Sequence, residues 1–318
     1  LGLALPPRGV ARTHAPTDRK DITMTFKELR QGAFAAALAG LCLYAGPLAA
    51  EDYAKPQLLT DTADLATMME SLDISIVDVR PRKAYDAGHI PGAVHLGADD
   101  VIDAASPVAG SLLPQETLAA MLGRRGIDKA TPAVFYDDKG GFHAARLFWL
   151  LEYFGHGKVS VLNGGFPKWQ GEGRPVTTAD PAVTAKTFAV AATPRRLATA
   201  DWLLERRDDA SVVVVDVRPD KLFAAGHIPW ARSIPWKQNL AQDGTLKSEA
   251  ELLRHFAAQG VTPDKNVVVH CQNGKAAAHS YFTLRLLGFP RVRSYDRSWA
   301  EWGTADDLPK STRREQQG

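Results

Sequence analysis

The chain has 318 residues, 45% of them hydrophobic and 23% charged, with a formal net charge of +2. That length accommodates two ordinary domains, each able to bury its own core. So small a net charge gives no footprint for a nucleic-acid partner, and two cysteines are too few for a disulfide framework or a Cys-rich metal site.

The first expected element is an export signal. Residues 24–50, MTFKELRQGAFAAALAGLCLYAGPLAA, open with Lys27 and Arg30, run apolar, and end in small residues before Glu51. This is the pattern of a cleaved secretory leader. The stretch is rich in Ala and Gly and broken by Pro47, which suits a permanent membrane span poorly. Met24 reads as the start and residues 1–23 as an upstream extension. The leader region 1–50 holds six Lys/Arg and three Asp/Glu, so cleavage takes the net charge from +2 to −1. A periplasmic or secreted protein is expected, with neither nucleic acid nor, after cleavage, a membrane as partner. Cys42 leaves with the leader, and Leu41 before it is too large for a lipid-attachment site. Cys271 then remains as a solitary thiol in an oxidising compartment, either an inert core cysteine or a reactive one.

Downstream, the same unit occurs twice. VDVRPRKAYDAGHIPGA from Val77 returns as VDVRPDKLFAAGHIPWA from Val215, which sets Asp78 and Asp216, Arg80 and Arg218, His89 and His227 each 138 residues apart. Later the offset becomes 133: Gly155 matches Gly288, Val159 matches Val292 and Trp169 matches Trp302. The expected organisation is a first domain over 51–176, a Pro/Thr/Ala-rich linker over 177–196, a second domain over 197–310 and a tail over 311–318.

Within each unit, short β-branched runs alternate with helical spacing. SIVDV, AVFY and VSVL in the first copy, with VVVVDV and VVVH in the second, suit buried strands. Ala277, Tyr281, Leu284 and Leu287 recur at helical intervals, and Gly288 is placed to end that helix. Alternation of this kind predicts an α/β fold in two tandem domains, each a mostly parallel sheet flanked by helices.

Cys271 falls just past the strand NVVVH, where ligands bind in open α/β sheets. The loop Gln272-Asn273-Gly274-Lys275-Ala276 follows. A Gly-containing loop that runs into a helix can turn its N–H groups inward as an anion nest, and Lys275 adds a full charge. Each of these favours the thiolate, the nucleophilic form. Three adjacent valines favour an inert core cysteine instead, but the loop position and the absence of a disulfide partner outweigh them.

With VDVRP…AGHIP in both halves, HCQNGKA in the second and YDRSWAEWG after its last strand, the sequence resembles the tandem-domain rhodanese family, the thiosulfate and 3-mercaptopyruvate sulfurtransferases. The resemblance covers nearly the whole mature chain. It implies that Cys271 is the catalytic nucleophile, that Gln272, Asn273, Gly274, Lys275 and Ala276 bind substrate, and that neither metal nor organic cofactor takes part. The first copy has Asp138 at the offset position and no cysteine, so its domain is expected to be silent, a scaffold and pocket wall. The implied partners are a small-molecule sulfur donor and acceptor. The alternative is a persulfide carrier that serves a protein sulfur acceptor.

Other residues read as structure. His89, His227, Asp78, Asp216, Arg80 and Arg218 occur in both copies, the silent one included, so a common architectural role is expected. His270 points to the sheet face opposite Cys271, and His279 is expected to pack within its helix. Trp299 and Trp302 are candidates for either pocket or core. QNGKA contains one cation, whereas thiosulfate-preferring relatives carry two just after the cysteine. Leu222 stands where many relatives place a donor-gripping arginine, and Arg297 is the candidate replacement. Phosphatases of this fold end a longer loop in arginine, but the corresponding position here is Ala277.

Overall fold

In the computed structural model, which describes residues 53–312, each β-branched run forms a strand and the intervening periodic segments form helices. The leader and the start at Met24 lie outside the described residues. The first domain runs β1 (Leu59–Thr60), α1 (Thr62–Ser71), β2 (Ser75–Asp78), α2 (Arg82–Ala87), β3 (Ala93–His95), α3 (Gln115–Arg124), β4 (Ala133–Tyr136), α4 (Ala144–Tyr153), β5 (Val159–Leu162) and α5 (Gly165–Gly171). The second repeats the order with β6 (Leu197–Ala198), α6 (Ala200–Leu204), β7 (Val212–Asp216), α7 (Asp220–Ala225), β8 (Ala231–Ser233), α8 (Glu249–Ala257), β9 (Asn266–His270), α9 (Lys275–Leu286), β10 (Val292–Tyr295) and α10 (Ser298–Trp302).

Each sheet has five strands, ordered β1-β5-β4-β2-β3 and β6-β10-β9-β7-β8, and every pair is parallel. The chain therefore leaves β4 and β9, the middle strands, at the same edge of the two sheets, where each runs into a long central helix. Parallel strands covered on both faces need not alternate, and Val267, Val268 and Val269 are all buried.

The helices α4 and α9 pack on each other. Phe148 meets Phe282 edge-on with ring centroids 4.9 Å apart. Below them the Glu152 carboxylate of α4 accepts from Arg285 Nη2 at 2.7 Å, Arg196 Nη2 at 3.3 Å and the Tyr281 hydroxyl. Burial alone would raise the Glu152 carboxyl, but these hydrogen bonds and charges outweigh it and hold the group below its ordinary value. Because α9 lies between its own sheet and α4, every residue from Ala277 to Leu286 is buried.

The Asp-Arg and His pairs serve the architecture alike in both domains. Arg80 Nε lies 3.0 Å from both oxygens of Asp78, and its Nη2 donates to Gly88 O at 2.7 Å. Arg218 does the same with Asp216 and with Gly226 O at 2.6 Å. His89 stacks on Tyr85 and His227 on Phe223, with centroids 3.7 and 3.8 Å apart. The linker is no free tether: Phe188 is buried, Lys186 N donates to Gly123 O, and Ala191 N donates to Phe154 O.

Candidate functional site

The carboxyl end of β9 delivers Cys271 to a short loop, and the strand register identifies its counterpart in the first domain. Asp78 pairs with Tyr136 as Asp216 pairs with His270, so the next residues, Asp137 and Cys271, are equivalent. Phe166 N donates to Asp137 O at 2.8 Å, just as Trp299 N donates to Cys271 O at 3.0 Å. The expectation that Asp138 stands opposite the cysteine is corrected. The first loop is one residue longer, so an offset of 133 counted back from the helix misses the strand end by one.

The two loops hold different things. In the first, Asp137 Oδ1 accepts from the N–H groups of Lys139 and Gly141, both at 2.9 Å. Its Oδ2 accepts from His143 at 2.6 Å and Ala144 at 3.1 Å, at the start of α4. The loop is a nest of amides, and its own carboxylate fills it. In the second, no acceptor among the described residues meets the N–H groups of Gln272 through Ala277. The thiol of Cys271 stands where the twin loop holds a negative charge.

Cys271 itself is 2% exposed. Its N–H donates to Ser298 Oγ at 3.1 Å, and that hydroxyl, which donates to Tyr295 O at 2.9 Å, lies 4.0 Å from the sulfur. Ser298 has φ 54°, where the first copy uses Gly165 at φ 56°. A side chain in this conformation costs of the order of 1 kcal/mol.

The loop is also roofed. Gly110 of the first domain touches the carbonyl of Asn273, and an added Cβ there would collide with it. Arg146 of α4, fully buried, donates to Gly110 O at 3.0 Å and is ion-paired with Asp296, which follows β10. Gly274 rests on that pair at φ 83°, where a Cβ would stand 2.5 Å from Asp296 Oδ1 and 2.6 Å from Arg146 Nη1. The thiol is thus covered, and Asp99 and Gly110 of the first domain reach its loop at Lys275 and Asn273.

The remaining expected site residues are placed as follows. Gln272 Oε1 accepts from Arg218 Nη1 at 3.5 Å, and its carbonyl accepts from Ala300 N at 2.8 Å. Lys275 opens α9, and its ammonium is ion-paired with Asp99 of the first domain. Ala276 is half-buried against the core. Trp299 lies beside the loop, with the Arg218 guanidinium 4.5 Å from its ring centroid, whereas Trp302 is wholly buried. His270 is turned to the other face near Tyr295, and burial lowers its imidazole although Asp216 lies 3.7 Å away. His279 packs inside, with Nε2 3.0 Å from Gly140 O, and burial pushes it down to about 4.

A cavity of about 540 Å³ adjoins the loop without reaching the sulfur. Thr199, Asp201, Asp296, Arg297 and Glu301 line it together with apolar side chains of the first domain, and Cys271 does not. Arg297 donates to Glu301 Oε1 at 2.7 Å on that side. It is therefore engaged away from the cysteine, while Leu222 is 44% exposed. Asp99, Gly110, Arg146, Asp296 and Ser298 escaped sequence reasoning. Only Asp296 and Ser298, which flank the noted Arg297 in YDRSWAEWG, lay in a motif already marked.

A family model described as the rhodanese-like domain matches residues 61–172 and again 199–305. A protein named sulfur carrier protein TtuD, from Thermus thermophilus, is 35% identical over 81% of this chain and 97% of its own length. The thiosulfate sulfurtransferase of Azotobacter vinelandii is 32% identical over 81% of this chain and 98% of its own. Among solved structures, the 3-mercaptopyruvate sulfurtransferase SseA of Escherichia coli superposes with a TM-score of 0.71 at 30% identity, covering 76% of this chain and 98% of that one.

Proposed function

The chain belongs to the rhodanese family, with two rhodanese-like domains in tandem and sulfurtransferases among its relatives, and from this we propose that it moves a sulfane sulfur through a persulfide on Cys271. The observation that carries the reading is the pair of loops. One closes its amides on the Asp137 carboxylate, and the other leaves the amides that follow Cys271 without a protein acceptor among the described residues.

In the first half-reaction the Cys271 thiolate attacks the outer sulfur of thiosulfate. A new S–S bond forms, the old one breaks, and sulfite leaves with the electron pair. With 3-mercaptopyruvate the C–S bond breaks instead, and the carbon takes a proton to give pyruvate. In the second half-reaction cyanide or a thiolate attacks the terminal sulfur and returns Cys271 as thiolate. The amides of Gln272 to Ala277 stabilise the negative persulfide in both halves, and Lys275 faces the anionic end of the donor. An enclosed thiol admits small reagents before a protein, which favours an enzyme acting on small donors. The likeness to a sulfur carrier protein at 35% identity supports a second reading, handover to a protein acceptor. The leader expected over 24–50 would place either activity in the periplasm or outside the cell.

Mass spectrometry after incubation with thiosulfate or 3-mercaptopyruvate tests the proposal. One added sulfur on the wild-type protein, missing in Cys271→Ser, is expected, together with steady thiocyanate formation from thiosulfate and cyanide. A persulfide that appears only in the presence of a partner protein favours the carrier. No adduct under any of these conditions sinks both readings. Amino-terminal sequencing of the exported protein, beginning at Glu51, checks the location.

A further inference from the structure

Lys275 is the single cation of the loop, and it is already spoken for. Its ammonium pairs with the Asp99 carboxylate across the domain boundary, with the lysine side chain 21% exposed and the aspartate 78%. That carboxylate has no second side-chain or backbone partner among the described residues. Asp99 belongs to the first-domain segment that roofs the loop, and the contact of Gly110 with Asn273 and the bond from Arg146 to Gly110 O hold this segment in place. An anion approaching Cys271 therefore meets attraction from Lys275 and repulsion from Asp99 together. Ion pairs this exposed are weak, so a competing anion can displace the carboxylate.

We propose that Asp99 is a specificity-determining residue: by occupying Lys275 it lets the first domain set how strongly Cys271 discriminates among anionic reagents, weakening the site for dianions more than for monoanions. For sulfur donors this rests on the transfer reading above, and it means that thiosulfate, with two charges, is handicapped relative to 3-mercaptopyruvate, with one carboxylate. The charge effect at the thiol does not depend on that reading.

The test compares wild type with Asp99→Asn, Lys275→Gln and the double variant. Asp99→Asn keeps the shape of an exposed side chain, and circular dichroism confirms the fold. The first readout is the rate of Cys271 alkylation by iodoacetate relative to neutral iodoacetamide. Asp99→Asn is expected to raise this ratio about fivefold, the factor equivalent to about 1 kcal/mol. It is also expected to lower the KM for thiosulfate by more than that for 3-mercaptopyruvate. In the Lys275→Gln background most of the gain should vanish, because the effect runs through the freed ammonium. An unchanged alkylation ratio, equal shifts for both alkylating reagents, or a gain undiminished without Lys275 overturns the proposal. Were the wild-type protein to take no sulfur from either donor, the transfer reading would fall, and the alkylation ratios would still decide the role of Asp99.

Discussion

Asp137 and Cys271 occupy one position in two copies of a loop, and they explain each other. A backbone that turns several N–H groups toward a point must supply an acceptor there or leave donors buried without one. In the first domain four amides share the two oxygens of Asp137. Asp137→Asn replaces one acceptor oxygen with an NH₂ that faces two donors, so two N–H groups lose their partner and the charge is lost. Destabilisation of about 3 kcal/mol is expected, from the usual worth of hydrogen bonds to a charged group and the penalty for orphaned donors. Urea titration measures it, and a change below about 1 kcal/mol would contradict the nest as described. Thiocyanate formation by the folded variant should persist, since this carboxylate lies in the other domain's loop. In the second domain no protein acceptor among the described residues meets the corresponding amides, which leaves room for the negative persulfide proposed above.

At the scale of elements, the long central helices do two jobs, presenting the loops at their amino ends and joining the domains along their flanks. The join depends on Glu152, which meets Arg285, Arg196 and Tyr281 at once. Glu152→Gln keeps the size and leaves two guanidinium groups short of their counter-charge. A buried pair broken in this way costs about 3 kcal/mol. The expected sign is a lower denaturation midpoint with the slope unchanged, and an unaltered midpoint would show the network to be energetically idle. Strands, repeat and cysteine loop were legible in the sequence because their signals are local: valine runs, a recurring VDVRP, a cysteine just past a strand. The helix α9 was legible in extent but not in burial, since Ser280, Thr283 and Arg285 look like a solvated face until Asn239 meets Ser280 and Glu152 of α4 meets Arg285. The roof was not legible at all. Asp99 and Gly110 lie more than 150 residues before the loop they touch, and no local pattern marks a contact made only when two domains dock. The single extra residue in the first loop left no periodic trace either, which is why Asp138 stood in for Asp137.

For the whole molecule, the two domains form one body whose seam contains two groups that both resist protonation, and their loss contributes to its acid limit. His279 bridges the seam in its neutral form, with Nε2–H donating to Gly140 O at 3.0 Å and Nδ1 accepting from Asn239 Nδ2 at 3.4 Å. Burial pushes its folded value down to about 4 from an ordinary 6.5. A histidine depressed in this way binds protons more readily once unfolded, so its contribution is complete above pH 6.5 and drains away as pH falls toward 4. The shift corresponds to a loss on the order of 3 kcal/mol. Glu152, held below its ordinary value by Arg285, Arg196 and Tyr281 in spite of burial, adds a second loss at lower pH. Its stabilisation is present above the unfolded carboxylate value of about 4.3 and disappears as pH drops through the folded one. Stability from urea titrations should therefore hold level from pH 8 to about 7, decline through pH 5, and go on declining below about 4 as Glu152 takes over from His279. The two steps are separable. Replacing His279 with Gln, which can still donate to Gly140 O, should make the upper part of the decline shallower and spare the lower, whereas Glu152→Gln should do the reverse; His143, His156, His255 and His270, also lowered by burial, supply the rest of the upper slope. A pH profile that the His279 variant leaves unchanged above about 4.5 would mean that the buried imidazole does not govern the seam.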